Sequence, residues 1–356
     1  MAPLSHRENN FDAVRLIAAT AVIYGHAHPL TGTLDVGFLG NAVEGWAVKV
    51  FFVVSGFLIT ASWLADPDPR RYLEKRCLRI FPALWLVVIL SMFVLGPLFT
   101  DLPLRAYFRS PLLREYAWNF ILHPAYALPG VFDRIPYPHA VNGSLWSLPV
   151  EFAMYLLMPV VIALGARSRM RWLLGAVTVL LCLASLYILR GGGPRPPGTL
   201  WGTSLASSLD VCPYFLLGAC AQFYQFKALL HPGVALGLVG LAAFIQPSGA
   251  MLTELTLYIL TTVAVLGFAL TPAPVLSRAG RWGDFSYGIY LYGFPVQQSV
   301  NALAGSHLTP LQNALMSIPI AFVLAVFSWR LVERRALALK PKRAAPRTVP
   351  AVEVQA

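Results

Sequence analysis

Ionisable side chains inside apolar runs are costly, so each is a candidate for chemistry. The first apolar run of this chain holds four: Asp12, Arg15, His26 and His28. Arg15 and His26 stand eleven residues apart, close to three helical turns. A helix would therefore put them on one face, about 16 Å apart along its axis. A guanidinium makes forked, charge-assisted bonds to phosphate or carboxylate. An imidazole, with an ordinary pKa of about 6.5, suits general acid–base work at neutral pH. The plainer reading is that Arg15 snorkels to the membrane interface, His26 satisfies a backbone carbonyl, and Asp12 pairs with Arg15 one turn along.

The elements that position these residues follow from composition. Of 356 residues, 57% are apolar or aromatic and 12% are charged, about half the charged share of a soluble domain. That balance excludes a disordered chain, a coiled coil and an ordinary soluble globule, and predicts an all-α polytopic membrane protein. Apolar runs at 11–30, 46–64, 83–100, 147–166, 172–189, 204–224, 230–246, 251–271, 284–302 and 309–330 predict about ten transmembrane helices. With the N-terminus inside, 19 Lys/Arg fall on the cytoplasmic side and six outside, which predicts cytoplasmic termini. The net charge of +11 is thus read as topology, and no nucleic-acid partner is expected.

The connection 101–146 lies outside on this topology and is rich in proline and tyrosine. Its aromatic content predicts an ordered outer cap. Residues 1–335 form the membrane-embedded domain, and 336–356 a basic, disordered cytoplasmic tail. The polar N-terminal residues and the lack of a small-residue cleavage site argue for a retained first span over a signal peptide. Cys77, Cys182, Cys212 and Cys220 form no CxxC pair, and neither a disulfide nor a metal site is expected. No internal repeat is evident, which counts against an inverted-repeat transporter.

Three segments add to the first run. The second reads Lys49-Val50-Phe51-Phe52-Val53-Val54-Ser55-Gly56-Phe57-Leu58-Ile59. A basic stretch after it, expected as a cytoplasmic loop, carries Arg76 and Arg79. The fourth run opens with Trp146-Ser147-Leu148-Pro149-Val150-Glu151. With Arg15 and His26, this ordered set resembles the acyltransferase-3 family of membrane O-acyltransferases, over about residues 10 to 335. The family's marks are a basic residue, ten residues, then His; FFxxSGFLI; RxxR; and WSLxxE. The segment Gly283 to Tyr292 is similar to a later family segment. Many members have a His soon after those tyrosines, where this chain has Tyr292-Gly293-Phe294, and many have an acidic or amide residue where Lys49 stands. Longer relatives add a hydrolase-like domain, for which this chain has no room.

The resemblance implies transfer of an acyl group, most often acetyl from acetyl-CoA, onto a hydroxyl of a surface or lipid-linked sugar. It implies His26 as general base and Glu151 as its partner or a sugar ligand, with a Glu151–Lys49 ion pair as the structural alternative. It also implies that Arg15, Arg76 and Arg79 hold the donor's phosphates. Lys49, Ser55, Trp146 and Tyr287 are acceptor-side or supporting candidates. Ser55 as an acylated nucleophile lacks a base at triad-like spacing, and the Ser55-Gly56 pair is read as close helix packing. Trp146, Tyr287 and Tyr290 are read as core packing, although an aromatic face suits a sugar ring. Asp210 and Glu254 fall near outer span ends, lining an acceptor cleft or the interface. A bacterial inner membrane is expected by analogy with the family. A small-molecule acyltransferase and a non-enzymatic glycolipid transporter are the alternatives, and no oligomeric state is readable.

Overall fold

The computed structural model describes residues 9–35, 37–38, 40–167, 171–192, 194–226, 230–245, 249–271 and 273–341. Ten long helices fill the predicted apolar runs: α1 (Phe11–Leu30), α2 (Val43–Ala65), α3 (Pro69–Leu90), α4 (Ser147–Arg167), α5 (Leu173–Ser185), α6 (Leu205–Phe223), α7 (Pro232–Ile245), α8 (Ala250–Leu270), α9 (Ser286–Leu303) and α10 (Pro310–Ser328). Among the described residues, six helical stretches are long and apolar enough to cross a membrane; they include α2, α4 and α8. Strand is limited to two short hairpins, Gly37–Phe38 with Asn41–Ala42 and Thr199–Leu200 with Thr203–Ser204.

One boundary differs from the expectation. The basic stretch holding Arg76 and Arg79 is not a loop but the first half of α3. Asp66 ends α2 and accepts hydrogen bonds from Arg71 and Lys75. Asp68 caps α3 by accepting from the Arg71 amide at 2.9 Å, and Pro69 occupies the first turn, where its missing N–H costs nothing. The helix then runs on through a wide π-turn, Ser91–Leu95, to Phe99. The Tyr107 hydroxyl donates to the Met92 carbonyl at 2.7 Å, so the widened turn is satisfied by the outer connection. That connection is folded: Leu104–Arg109 and Pro111–Tyr116 are helical, and Asn119 donates to the Tyr116 and Ala125 carbonyls at 2.8 Å.

The core is built on small residues. The α2–α6 pair packs most closely, because Gly56 lies on the Phe215 carbonyl and Gly218 on the Val53 carbonyl. Gly288 of α9 lies against Ala325 of α10, and Gly293 of α9 against Ile23 of α1. Missing side chains let backbones approach where lipid gives helices little hydrophobic reason to associate. Amides add directional contacts: Gln297 donates to the Ile23 carbonyl at 2.8 Å and to Asn313 at 2.9 Å.

Gly56→Ala should lower the unfolding midpoint of the detergent-purified protein, since overpacking costs about 1–3 kcal/mol. Gly45→Ala, in the same helix with nothing within 4 Å of the new carbon, should leave it unchanged. Equal midpoints for the two variants would refute the packing argument.

Candidate active site

A cavity of about 1210 Å³ opens among α1, α2, α3, α4 and α9. Six cations line it, Arg15, Arg76, Arg79, Arg278, Arg281 and Lys340, against three carboxylates, Asp12, Glu151 and Asp284. The excess of positive charge suits an anionic ligand.

The three predicted anion-binding arginines meet here, but not as equals. Asp284, just before α9, takes two of them. Its Oδ2 accepts from Arg15 Nη1 at 2.8 Å and from Arg79 Nη2 at 2.5 Å. Its Oδ1 accepts from the Ser286 hydroxyl at 2.5 Å and the Ser286 amide at 3.3 Å. Burial alone would raise the Asp284 carboxyl, but Arg79 and Arg15 hold it well below the usual carboxylate range. Thus Arg15 pairs across the bundle with Asp284. Arg79 also stacks over the Tyr287 ring, 5.5 Å from its centroid, and Tyr287 donates to the Ile80 carbonyl at 3.0 Å.

Arg76 differs. Among the described residues it has no carboxylate partner. Its guanidinium lies 5.8 and 6.0 Å from the Tyr72 and Tyr155 ring centroids, and its Nε is buried with no hydrogen-bond acceptor. Cation–π contacts lower the cost of burying the charge without neutralising it. At the rim, Lys340 is exposed as a residue. Burial of its amine first, and then the charges of Arg76, Arg79, Arg15 and Lys75, push that amine down to about 8. The helix after α10 runs to Ala338 and Leu337 and Lys340 line the cavity, so the first residues of the expected tail belong to the site. Residues 342–356 lie outside the described residues.

Deeper in, Glu151 accepts from the Ser55 hydroxyl at 2.7 Å and from Tyr155, one turn along α4, at 2.5 Å. Glu151 therefore pairs neither with Lys49 nor with His26. The sequence separation of 96 between Ser55 and Glu151 hid this carboxylate-held hydroxyl. Tyr155 left a signal, an i,i+4 spacing from Glu151.

His26 does not line the cavity. Its ring packs edge-on against Phe294, centroids 5.2 Å apart, and among the described residues its buried Nδ1 has no partner. Phe294 lies one turn along α9 from Tyr290, which lines the cavity. Phe294 also meets Tyr137, 6.1 Å between centroids, and a Cβ on Gly143 would come within 2.6 Å of it. Tyr137 and Gly143 line a second cavity of about 470 Å³, with Tyr126, His139, Trp146 and Thr203. The walls of the second cavity meet α9 at Phe294 and, one turn on, at Gln298, whose amide donates to the Tyr137 and Ala140 carbonyls at 2.8 Å. Trp146 thus falls on the second cavity and Tyr287 on the first.

Lys49 lies elsewhere. It is fully buried, and its Nζ meets Asn41 at 2.6 Å, Glu254 at 3.0 Å and Asp210 at 3.2 Å. Arg190 closes the network on Asp210 at 2.8 Å and Glu254 at 2.9 Å. Two cations balance two carboxylates, so this cluster joins helices and lines neither cavity. Among the described residues, no group of three or more His, Cys, Asp or Glu is placed to hold a metal.

The large cavity thus joins an excess of cations to a carboxylate-held hydroxyl within one helix bundle. Sequence comparison identifies the family. The acyltransferase-3 model, described as an acyltransferase domain, matches residues 8–332. The O-acetyl transferase of Shigella phage Sf6 is 30% identical over 93% of this chain and 97% of its own. Nodulation protein 10 of Rhizobium leguminosarum bv. viciae is 29% identical over 96% and 97%. Peptidoglycan O-acetyltransferase OatA of Listeria monocytogenes is 25% identical over 91% of this chain and 55% of its own. No solved structure matches. The chain belongs to the acyltransferase-3 family and is a membrane acyltransferase.

Asp284→Asn should lower the unfolding midpoint by an amount equivalent to about 1–3 kcal/mol, since it leaves Arg15 without its carboxylate and Arg79 with only Glu333, at 3.8 Å. Sulfate should restore part of that loss in the variant and less in the wild type. An unchanged midpoint would show that Asp284 does not anchor the arginines.

Proposed function

We propose that this protein moves an acyl group, acetyl by default, from cytoplasmic acyl-CoA to a hydroxyl of a cell-surface or lipid-linked sugar. The observation that carries this is the large cavity, with six cations against three carboxylates and the Ser55 hydroxyl held by Glu151. In this reading all ten helices span a bacterial inner membrane, with the Arg15 end and both termini cytoplasmic. The positive-inside bias supports that orientation. The diphosphate of CoA lies at Arg76, with Arg15 and Arg79 held beside it by Asp284, and the acyl-bearing arm extends along α1 toward His26. The axial distance from Arg15 to His26, about 16 Å, is of the order of that arm.

The acceptor enters from the second cavity, where Tyr126, Tyr137 and Trp146 offer faces for a pyranose ring. His26 takes the proton of the sugar hydroxyl as its oxygen attacks the thioester carbon. The C–S bond breaks, the ester C–O bond forms, and the thiolate leaves and is protonated as CoA. Glu151, held by Ser55 and Tyr155, lines the acyl end of the donor cavity. The names of the relatives, O-acetyl transferase and peptidoglycan O-acetyltransferase, support an acetyl group and a glycan acceptor.

Detergent-purified protein should bind acetyl-CoA. Arg76→Ala should weaken binding about 10- to 100-fold, as expected for loss of a charge-assisted contact. His26→Ala should keep binding but lose CoA release by about 10²- to 10⁴-fold, the range for a general base. Unchanged acetyl-CoA affinity in Arg76→Ala would remove the phosphate role, and no binding by the wild type would favour a glycolipid transporter. Replacing residues 103–138 with a relative's loop should change the acceptor; an unchanged product would place acceptor selection in the spans.

A further inference from the structure

We propose that the second cavity takes an uncharged sugar ring and discriminates against acidic sugars, and that His139, oriented by Asp133, is the hydrogen-bond partner that positions the ring. The inference rests on the acceptor reading above and deepens it, from a sugar of any kind to an uncharged one.

The two cavities differ in charge. Six cations line the large one. Among the described residues neither Lys nor Arg lines the second, and tyrosines apart, His139 is its one titratable side chain. The His139 Nδ1 lies 3.0 Å from Asp133 Oδ1. With a neutral imidazole the pair is anionic; with a protonated one it is uncharged overall. Neither state supplies the net positive charge that a sugar carboxylate requires on leaving water. Arg134, next to Asp133 in the chain, is directed instead to Asp101, at 3.6 Å.

The wall is tied together before any ligand arrives. The buried Gln298 amide holds the Tyr137 and Ala140 carbonyls, on either side of His139, at 2.8 Å. The Val141 amide donates to the Tyr126 carbonyl at 2.7 Å, and the Thr203 hydroxyl to the Trp146 carbonyl at 2.9 Å. His139 has φ +58°, a left-handed conformation that costs a residue other than glycine and persists where its surroundings impose it. Its amide meets the Phe132 carbonyl at 3.4 Å, and Phe132 is left-handed too, at φ +61°. With Nδ1–H given to Asp133, the Nε2 edge of this exposed ring is left to accept from a sugar hydroxyl. Ser204 and Ser207 add uncharged hydroxyls, and Tyr126, Tyr137 and Trp146 add apolar faces. A cavity of about 470 Å³ is also of small-ligand size, about 300–1,000 Å³.

The test follows CoA release from acetyl-CoA by the full chain in detergent as methyl glycosides are added. The neutral probes are the glucoside, galactoside, rhamnoside and N-acetylglucosaminide; the acidic ones are the glucuronide and galacturonide. Neutral probes should accelerate release and half-saturate at a concentration about 10-fold or more below the acidic ones. His139→Ala should raise the half-saturating concentration about 10-fold with kcat and acetyl-CoA affinity little changed, while His139→Gln, which keeps a hydrogen-bonding group, should stay near the wild-type value. Ser207→Lys should bring in a response to the acidic probes. Acidic probes that act on the wild type as well as neutral ones, or an unchanged half-saturating concentration in His139→Ala, would overturn this inference and leave the sugar-acceptor reading standing. Acetyl-CoA binding with no response to any probe would overturn both and leave the donor reading standing.

Discussion

One carboxylate organises the basic end of this protein. Asp284 stands between Arg15 of α1 and Arg79 of α3, and its second oxygen holds the first turn of α9. Three helices that are far apart in sequence are thereby fixed around one point. Two guanidinium groups crowded together repel each other, and a membrane-proximal site cannot rely on water to screen them. Without Asp284 the arginines would separate and the cavity wall would open. With it they are positioned and half-neutralised, while Arg76 keeps its full charge.

The protein holds two groups of buried charge, and their balance separates scaffold from site. Around Lys49 each cation meets each carboxylate within about hydrogen-bonding reach, Tyr214 donates to Glu254 at 2.7 Å, and none of these residues lines either cavity described above. Nothing is left over to hold a ligand, and such a cluster serves to fix the pairing of α2, α6 and α8. The large cavity is the opposite case, with twice as many cations as carboxylates. A charge imbalance kept beside a solvent-accessible cavity is stable only because water or an anion supplies the difference.

The sequence made the helices legible because composition and run length alone determine them: every apolar run became a helix. The α3 start was misjudged because Arg70 to Arg79 are polar, and polarity was weighed above the Asp68–Pro69 start signal that the structure uses. Arg15 stands out as a charge inside an apolar run, and Arg76 and Arg79 through the RxxR spacing of the family resemblance; all three line the large cavity. Their anchor was not, since Asp284 lies 269 residues from Arg15 and 205 from Arg79. Pairings of that kind depend on tertiary packing. The same holds for Lys49, which sequence proximity to a span end linked with Glu151, whereas α8 and α6 supply its partners. Lys340 was lost to the tail because a basic stretch after the last apolar run reads as solvent-exposed.

The separation of His26 from the large cavity has a physical consequence for the proposed reaction. An imidazole facing an open, hydrated cavity would activate water as readily as a sugar hydroxyl, and a bound thioester would be hydrolysed. Here the ring lies against Phe294, and Phe294 also touches Tyr137 and Gly143 of the second cavity. Among the described residues the buried Nδ1 of His26 has no partner, so no hydrogen bond locks the ring at that atom. In this segment the tyrosines are followed by Gly293 and Phe294. Gly293 brings α9 onto Ile23 of α1, and that close approach is what seats Phe294 on His26. Phe294 thus puts an apolar side chain between His26 and the second cavity, and in the proposed reaction it sets the acceptor's access to the ring.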